Sequence, residues 1–214
     1  MPVKKRTPEK KRVKFSDDTT ITSQHKEKQQ DYDRPPIFVR KTLLTVPWHL
    51  LILLFYYVKL SDNYDTFKLL LALIPSQMLY LTLQFNKCII YGKKRLKTNK
   101  TLLLIALGGS IALSIPVMII LVLFGAPLVE YHWLTWLLSM HACFLAYPAI
   151  YHVFNCDFKV GMWKKYIISI AIGGWVSCVV IPLDWDRDWQ AWPVPVVVGM
   201  YLGAFIGYSI VAYI

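Results

Sequence analysis

Six long apolar runs follow a polar N-terminal segment in this chain. They cover residues 43–60, 66–85, 101–124, 133–153, 166–183 and 194–214, and each is close to the roughly 20 residues that a helix needs to cross a bilayer. Within lipid, only helices and closed barrels satisfy the backbone hydrogen bonds, and the runs are far longer than the roughly ten-residue strands of a barrel. We therefore predict an all-α polytopic integral membrane protein with six transmembrane helices. Pro47 and His49 interrupt the first run, so its helix is the least strongly predicted.

The segment before the first run has a different composition. Residues 1–41 are rich in Lys, Asp, Gln and Thr and contain few apolar side chains. Such a segment cannot bury enough surface to offset its chain entropy. The sequence therefore predicts two parts, a disordered basic tail at 1–41 and a six-helix transmembrane domain at 42–214.

The basic residues are distributed unevenly between the predicted loops. Of the 24 Lys and Arg residues, all but Lys59, Lys68 and Arg187 lie in the tail or in the loops at 86–100 and 155–165. Because cytoplasmic loops carry an excess of Lys and Arg, this distribution places both termini in the cytosol. It also accounts for the net charge of +11, so no nucleic-acid partner is expected. Apart from Asp157, the acidic residues after the tail lie on the opposite side: Asp62, Asp65, Glu130, Asp184, Asp186 and Asp188.

Polar recognition chemistry is concentrated in residues 184–192, here called the Asp/Trp loop, which carries four charges and three tryptophans between two proline residues. At 100° per residue, the three tryptophans would fall within about 60° of one another, which predicts a short amphipathic helix at the membrane interface. Arg187 could pair with Asp184 or bind a phosphate, and Asp with Trp suits an ammonium group. The alternative is an aromatic belt that only anchors the last two helices. The residues singled out as a recognition cluster are Asp184, Trp185, Asp186, Arg187, Trp189 and Gln190.

The last apolar run carries glycine at every fourth position, at Gly199, Gly203 and Gly207. Residues four apart share one face of a helix, and glycine lets a second backbone approach closely. The pattern predicts a close helix contact, either within the bundle or with another membrane protein.

Candidate catalytic and metal-binding residues are few. The sequence has no nucleophile elbow, no zinc-protease motif and no phosphate-binding glycine loop, so no catalytic residue and no cofactor are predicted. The alternating aspartates of the Asp/Trp loop could suit a divalent metal, but no glycine-bearing calcium loop accompanies them and no metal ligand is predicted. Polar residues inside the spans, His141 and His152 among them, are expected to hydrogen-bond between helices.

The chain resembles the PIG-F family of glycosylphosphatidylinositol (GPI) anchor biosynthesis. The resemblance rests on residues 181–190, Ile-Pro-Leu-Asp-Trp-Asp-Arg-Asp-Trp-Gln, on Trp192-Pro193 and on the glycines of the last run. Further similar segments lie at 124–128, 144–149 and 154–161, and those at 34–36 and 84–88 resemble the yeast-type members. Animal members commonly have proline at the position of Asp188, so the resemblance implies no indispensable role for that residue.

The resemblance implies a multi-pass protein of the endoplasmic reticulum membrane. Family members act as a shared non-catalytic subunit of two GPI ethanolamine-phosphate transferases, and the large partner subunit carries the active site. The expected partners are therefore a large transferase subunit, in two alternative complexes, and membrane lipids. Two other functions stay open from the residues alone. One is a metal-dependent phosphotransferase that uses the alternating aspartates, and the other is a small lipid transporter or scramblase.

Overall fold

A computed structural model of the chain describes residues 37–39, 43–91, 94–95, 97–154, 162–183 and 185–213. The predicted disordered tail lies outside the described residues except for Ile37–Val39, and Asp184 lies outside them as well. The disorder predicted for the rest of the tail stays a prediction.

The described chain is almost entirely helical. In chain order the α-helices are α1 (Trp48–Phe55), α2 (Thr66–Cys88), α3 (Lys100–Leu123), α4 (His132–Leu145), α5 (Tyr147–Phe154), α6 (Met162–Ser177) and α7 (Val194–Tyr213). A π-helical segment, Tyr56–Leu60, continues α1. Short 3₁₀ turns lie at Leu43–Thr45, Asp62–Tyr64, Cys178–Val180 and Asp188–Gln190.

These helices coincide with the six predicted apolar runs. Two of them, α2 and α3, are long and apolar enough to cross a membrane, and α4 with α5 would make a third span if the bent pair is counted as one. The helices Trp48–Leu60 and Val194–Ile210 are apolar but shorter. The prediction of a helical membrane protein is therefore confirmed, and the number of six spans stays a prediction.

The run at 133–153 was predicted as one helix and is instead two helices bent by 58° at Ala146. Pro148 is the second residue of α5. Proline has no backbone N–H and its ring clashes with the carbonyl four residues earlier, so it favours a kink or a break in a preceding helix. At the first run, the structure agrees with the interruption by Pro47, because α1 begins only at Trp48.

Three short strands depart from the all-α prediction. Strands β1 (Ile37–Val39), β2 (Ile89–Tyr91) and β3 (Lys94–Arg95) form an antiparallel sheet in the order β1-β2-β3. The register pairs Ile37 with Tyr91 and Ile90 with Arg95. Strand β1 falls inside the predicted tail, and backbone pairing holds Ile37–Val39 to the segment that follows α2.

The core lies between α2, α4, α5 and α7. Its fully buried side chains include Leu73, Phe144 and Tyr208. Helix α3 contacts this core along one side through α4 and α5, and much of its opposite face is exposed. Exposed apolar side chains are the expected lipid-facing or partner-facing surface of a membrane helix.

Candidate functional site

The Asp/Trp loop joins the 3₁₀ turn after α6 to the start of α7. Residues 185–187 are extended or irregular, and Asp188–Gln190 form one 3₁₀ turn. The prediction of an amphipathic helix is therefore wrong for the described part of the loop. Asp186 has a φ of +48°, which is incompatible with a right-handed helix. Pro193 has no N–H to donate, so no helical hydrogen bond can form there.

The side chain of Gln190 holds this conformation in place. Its Nε2 donates to the carbonyl oxygens of Val180 at 2.8 Å and Leu183 at 2.7 Å, and its Oε1 accepts from the backbone N–H of Arg187 at 3.3 Å. Gln190 is the one buried residue of the 3₁₀ turn. One side chain thus bonds to three backbone groups, the N–H of Arg187 within the loop and two carbonyls just before it. Each of those carbonyls also accepts from one backbone N–H.

Two of the three tryptophans form an exposed pair. The ring centroids of Trp185 and Trp189 lie 5.7 Å apart with planes tilted by 56°, and Trp185 is 53% exposed. Asp186 and Arg187 are exposed beside them, and among the described residues Arg187 has no ion pair. A rigid loop therefore presents aromatic faces and a free guanidinium to the surroundings.

The third tryptophan has a different role. Trp192 is only partly exposed and packs against the core. Its Nε1 donates to the hydroxyl of Thr135 at 3.2 Å, and that hydroxyl donates to the carbonyl oxygen of Pro127 at 2.7 Å. Trp192 thus ties the end of the Asp/Trp loop to the start of α4 and does not share a face with the other two.

A cleft of about 290 Å³ opens beside Trp192. Its lining combines the loop before α2 with the end of the Asp/Trp loop and the first residues of α4 and α7. The residues that give it polar or aromatic character are Asn63, Tyr64, Thr66, Asp188 and Trp192. Sequence reasoning missed the first three, because contacts between residues more than 120 positions apart leave no local pattern. We call this cavity the loop cleft.

A fully buried histidine connects three helices next to Thr66 of the loop cleft. His141 of α4 lies 3.0 Å through Nε2 from the carbonyl oxygen of Thr66 in α2, and 3.2 Å through Nδ1 from the hydroxyl of Tyr201 in α7. The hydroxyl of Thr66 is in turn 3.1 Å from that of Tyr57. The prediction that His141 hydrogen-bonds between helices is confirmed.

The start of α2, which carries Thr66 into the cleft, has its own cap. The carboxylate of Asp65 accepts from the backbone N–H of Lys68 at 3.1 Å and pairs with the Lys68 ammonium at 3.2 Å. The backbone hydrogen bond from Lys68 is the main cause that lowers the pKa of Asp65 below its usual value. The positive end of the helix dipole also stabilises a carboxylate at this position.

The described residues provide no set of ligands for a divalent metal at the Asp/Trp loop. Among them, no three His, Cys, Asp or Glu side chains lie close enough to hold an ion. Asp184, one of the alternating aspartates, lies outside the described residues.

The predicted glycine face is turned toward α6 of the same chain. A Cβ atom on Gly199, Gly203 or Gly207 would overlap atoms of Gly173, Ser169 or Ser177 in α6. In the other direction, a Cβ atom on Gly174 would lie 2.8 Å from the Cγ of Met200. Of the two predicted roles for the glycines, close packing within the bundle is therefore the one that the structure displays.

Known proteins match this chain over most or all of its length. The chain matches the family described as GPI biosynthesis protein family Pig-F over residues 43–212. It is 63% identical to glycosylphosphatidylinositol anchor biosynthesis protein 11 of Saccharomyces cerevisiae, over the full length of both chains. The protein of the same name from Candida glabrata is 60% identical over the full length of both, and that from Kluyveromyces lactis is 55% identical over 99% of each. No solved structure matches the chain.

Proposed function

Because the chain belongs to the PIG-F family and is a GPI anchor biosynthesis protein, we propose that it is the non-catalytic accessory subunit of GPI ethanolamine-phosphate transferases. In this proposal it resides in the endoplasmic reticulum membrane as a six-span protein. It binds a large catalytic transferase subunit, in two alternative complexes, and is needed for ethanolamine phosphate addition to the mannoses of the GPI precursor.

The observation that carries the proposal is the exposed Trp185–Trp189 pair beside Arg187. The loop is held by the buried Gln190 side chain, so its shape is set before any partner binds. Exposed tryptophan and arginine on a preformed surface are the residue types that contribute most to protein–protein binding. A surface of this kind suits contact with the luminal domain of another subunit.

The proposed topology is supported by contacts between loops that are predicted on the same side of the membrane. The loop cleft is lined by the loop before α2, the start of α4 and the end of the Asp/Trp loop, which belong to the three loops predicted on the non-cytosolic side. At the other end, the backbone N–H of Asn99 donates to the hydroxyl of Tyr151 at 3.0 Å. That bond joins the basic loop before α3 to the second half of α5. Six spans with both termini in the cytosol require this alternation.

Contact with the partner inside the membrane needs a face other than the glycine stripe, which α6 occupies. We assign it to the exposed side of α3. There a Cβ atom on Gly108 would meet nothing within 4 Å, and Ala112 follows one turn later with its side chain exposed. Small residues four apart let a second helix approach closely.

Affinity purification from a strain that carries a tagged chain tests this function. The expected result is recovery of a large transferase subunit and, on depletion of the chain, accumulation of GPI precursors that lack the later ethanolamine phosphates. The purified chain alone, supplied with phosphatidylethanolamine and a GPI precursor, should give no transfer. Transfer without a second subunit would overturn the proposal in favour of a phosphotransferase, and lipid flipping by the chain alone in vesicles would favour a transporter.

A further inference from the structure

The loop cleft contains one formally charged residue, Asp188. The other polar and aromatic lining residues are neutral, and no Lys or Arg takes part in the lining. Apolar side chains such as Leu134 and Val194 complete the walls. Asp188 is exposed, and a cleft lined by charge of one sign attracts the opposite charge, so the expected ligand is a cation.

The hydrogen-bonding groups of the cleft are unevenly used. The hydroxyl of Thr66 is engaged with Tyr57, and the indole N–H of Trp192 with Thr135. The side chains of Asp188 and Asn63, by contrast, make no hydrogen bond to another described residue. The carboxylate of Asp188 can only accept a hydrogen bond, whereas the Asn63 amide can both accept and donate, so the complementary ligand is one that donates to Asp188.

Aromatic rings add to the same preference. Tyr64 and Trp192 both line the cleft, and the face of a tyrosine or tryptophan ring attracts an ammonium group. A carboxylate, an amide oxygen and two aromatic side chains together match the surroundings that a primary ammonium group requires after it leaves water.

We propose that the loop cleft binds a primary ammonium group of an aminoethyl phosphate, with the carboxylate of Asp188 as its counter-ion. The cleft, at about 290 Å³, is at the lower limit of small-molecule pockets, which span roughly 300–1,000 Å³. It is therefore large enough for a headgroup. Arg187 adjoins Asp188 in the chain and is exposed, and a guanidinium is a favourable partner for a phosphate.

This inference rests on the proposed function for the source of the ligand, which is either the headgroup of phosphatidylethanolamine or an ethanolamine phosphate on a glycan. The site chemistry itself is argued from the lining alone. Animal family members commonly have proline in place of Asp188. Binding of a primary ammonium group at this cleft is therefore expected of this chain and not of the whole family.

Binding by the full chain in phosphatidylcholine nanodiscs tests the proposal, with saturation-transfer NMR as the readout. Glycerophosphoethanolamine should bind, whereas glycerol phosphate, which lacks the ammonium, and methyl α-mannoside, a neutral sugar, should not. Equal binding of glycerol phosphate, preferential binding of the sugar, or no binding of any probe would overturn the proposal.

Matched variants separate the carboxylate in the cleft from a carboxylate elsewhere on the same side of the protein. Asp188→Asn should weaken glycerophosphoethanolamine binding roughly threefold to fivefold, as expected for loss of an exposed ion pair. Glu130→Gln, at an exposed position outside the lining, should change it less than about twofold. Asn63→Asp adds a second carboxylate at the cleft and should strengthen binding. An unchanged affinity in both Asp188→Asn and Asn63→Asp would exclude the site.

A second arm identifies the source. If phosphatidylethanolamine in the nanodisc competes with the soluble probe, the membrane headgroup reaches the cleft. If it does not compete and the soluble probe still binds, the glycan substituent is the ligand. Failure of all probe binding with normal recovery of the transferase subunit would count against the cleft alone. Lost recovery with intact probe binding would count against the proposed function alone.

Discussion

The backbones of Gly173 in α6 and Gly203 in α7 are in direct contact. A Cβ atom on Gly173 would lie 2.9 Å from the Cα atom of Gly203, closer than real Cβ atoms approach another carbon. The atoms on both sides are main-chain atoms, which cannot move aside as a flexible side chain would. The pair therefore defines how closely these two helices pack, and it makes α6 and α7 one unit.

Replacing Gly203 with leucine should destabilise the protein by at least about 1–3 kcal/mol, the usual cost of overpacking a filled core. The physical reason is overlap with the carbonyl of Ser169. The expected result is a lower thermal unfolding temperature in detergent and a lower yield. Gly203→Leu with the stability of the wild type would contradict the α6–α7 contact.

Gly108→Leu serves as the matched control for stability and is itself a prediction. Its new side chain enters open space, so the free energy of unfolding should not fall and should rise by up to about 1 kcal/mol because leucine has the better helix propensity. If α3 docks the transferase subunit, recovery of that subunit should fall. Ala171→Leu, at an exposed position of α6, should leave both quantities unchanged, and an equal loss in Ala171→Leu would remove the case for α3.

Gln190→Glu should loosen the Asp/Trp loop although the two side chains have the same shape. A carboxylate cannot donate, so the carbonyl oxygens of Val180 and Leu183 lose the hydrogen bonds from Nε2 and each keeps one from a backbone N–H. The expected cost is about 0.5–1.5 kcal/mol for each hydrogen bond lost. Hydrogen exchange of the peptide at 178–193 should accelerate in Gln190→Glu and in Gln190→Ala alike. Protection equal to the wild type in Gln190→Glu would show that packing, and not the two hydrogen bonds, holds the loop.

The sequence predicted the helices and the glycine face well because both are local or periodic patterns. An apolar run of about 20 residues has few alternatives in a bilayer, and glycine at every fourth position identifies one face without knowledge of its neighbour. The pattern at 199–207 did not reveal that the neighbour is α6. That information lies in Ser169 and Gly173, which show no such repeat.

The Asp/Trp loop shows where local reasoning failed. The spacing of Trp185, Trp189 and Trp192 fits a helix, but the side chain of Gln190 satisfies backbone groups up to ten residues earlier, and Trp192 bonds to Thr135 across 57 positions. Such contacts outweigh a nine-residue periodicity. The loop cleft could not be predicted for the same reason, since Asn63 and Asp188 meet only through the tertiary fold.

His141 and Tyr201 should behave as a coupled pair in a double-mutant cycle. Tyr201→Phe removes one hydrogen bond and should cost about 1 kcal/mol, whereas His141→Ala also leaves a cavity and should cost about 2–5 kcal/mol. Once His141 is absent, Tyr201→Phe removes an already unpaired hydroxyl, so the double variant should lose less than the sum of the single losses. Strict additivity in thermal unfolding would show that the 3.2 Å contact contributes no energy.

Replacing the exposed tryptophans should affect partner recovery, whereas replacing Trp192 should affect stability. Trp185→Ala with Trp189→Ala removes an exposed ring pair, so the fold should persist while recovery of the transferase subunit falls roughly tenfold or more, as for the loss of an aromatic hot spot. Trp192→Phe deletes the indole donor to Thr135 and should lower stability by about 1 kcal/mol with recovery unchanged once the variant is folded. Thermal unfolding and quantitative co-purification on the same preparations check both outcomes. The double alanine variant could instead unfold like Trp192→Phe and still recover its partner. In that case the exposed pair only anchors the chain at the membrane interface, because removal of an aromatic belt costs membrane contacts and leaves partner contacts intact.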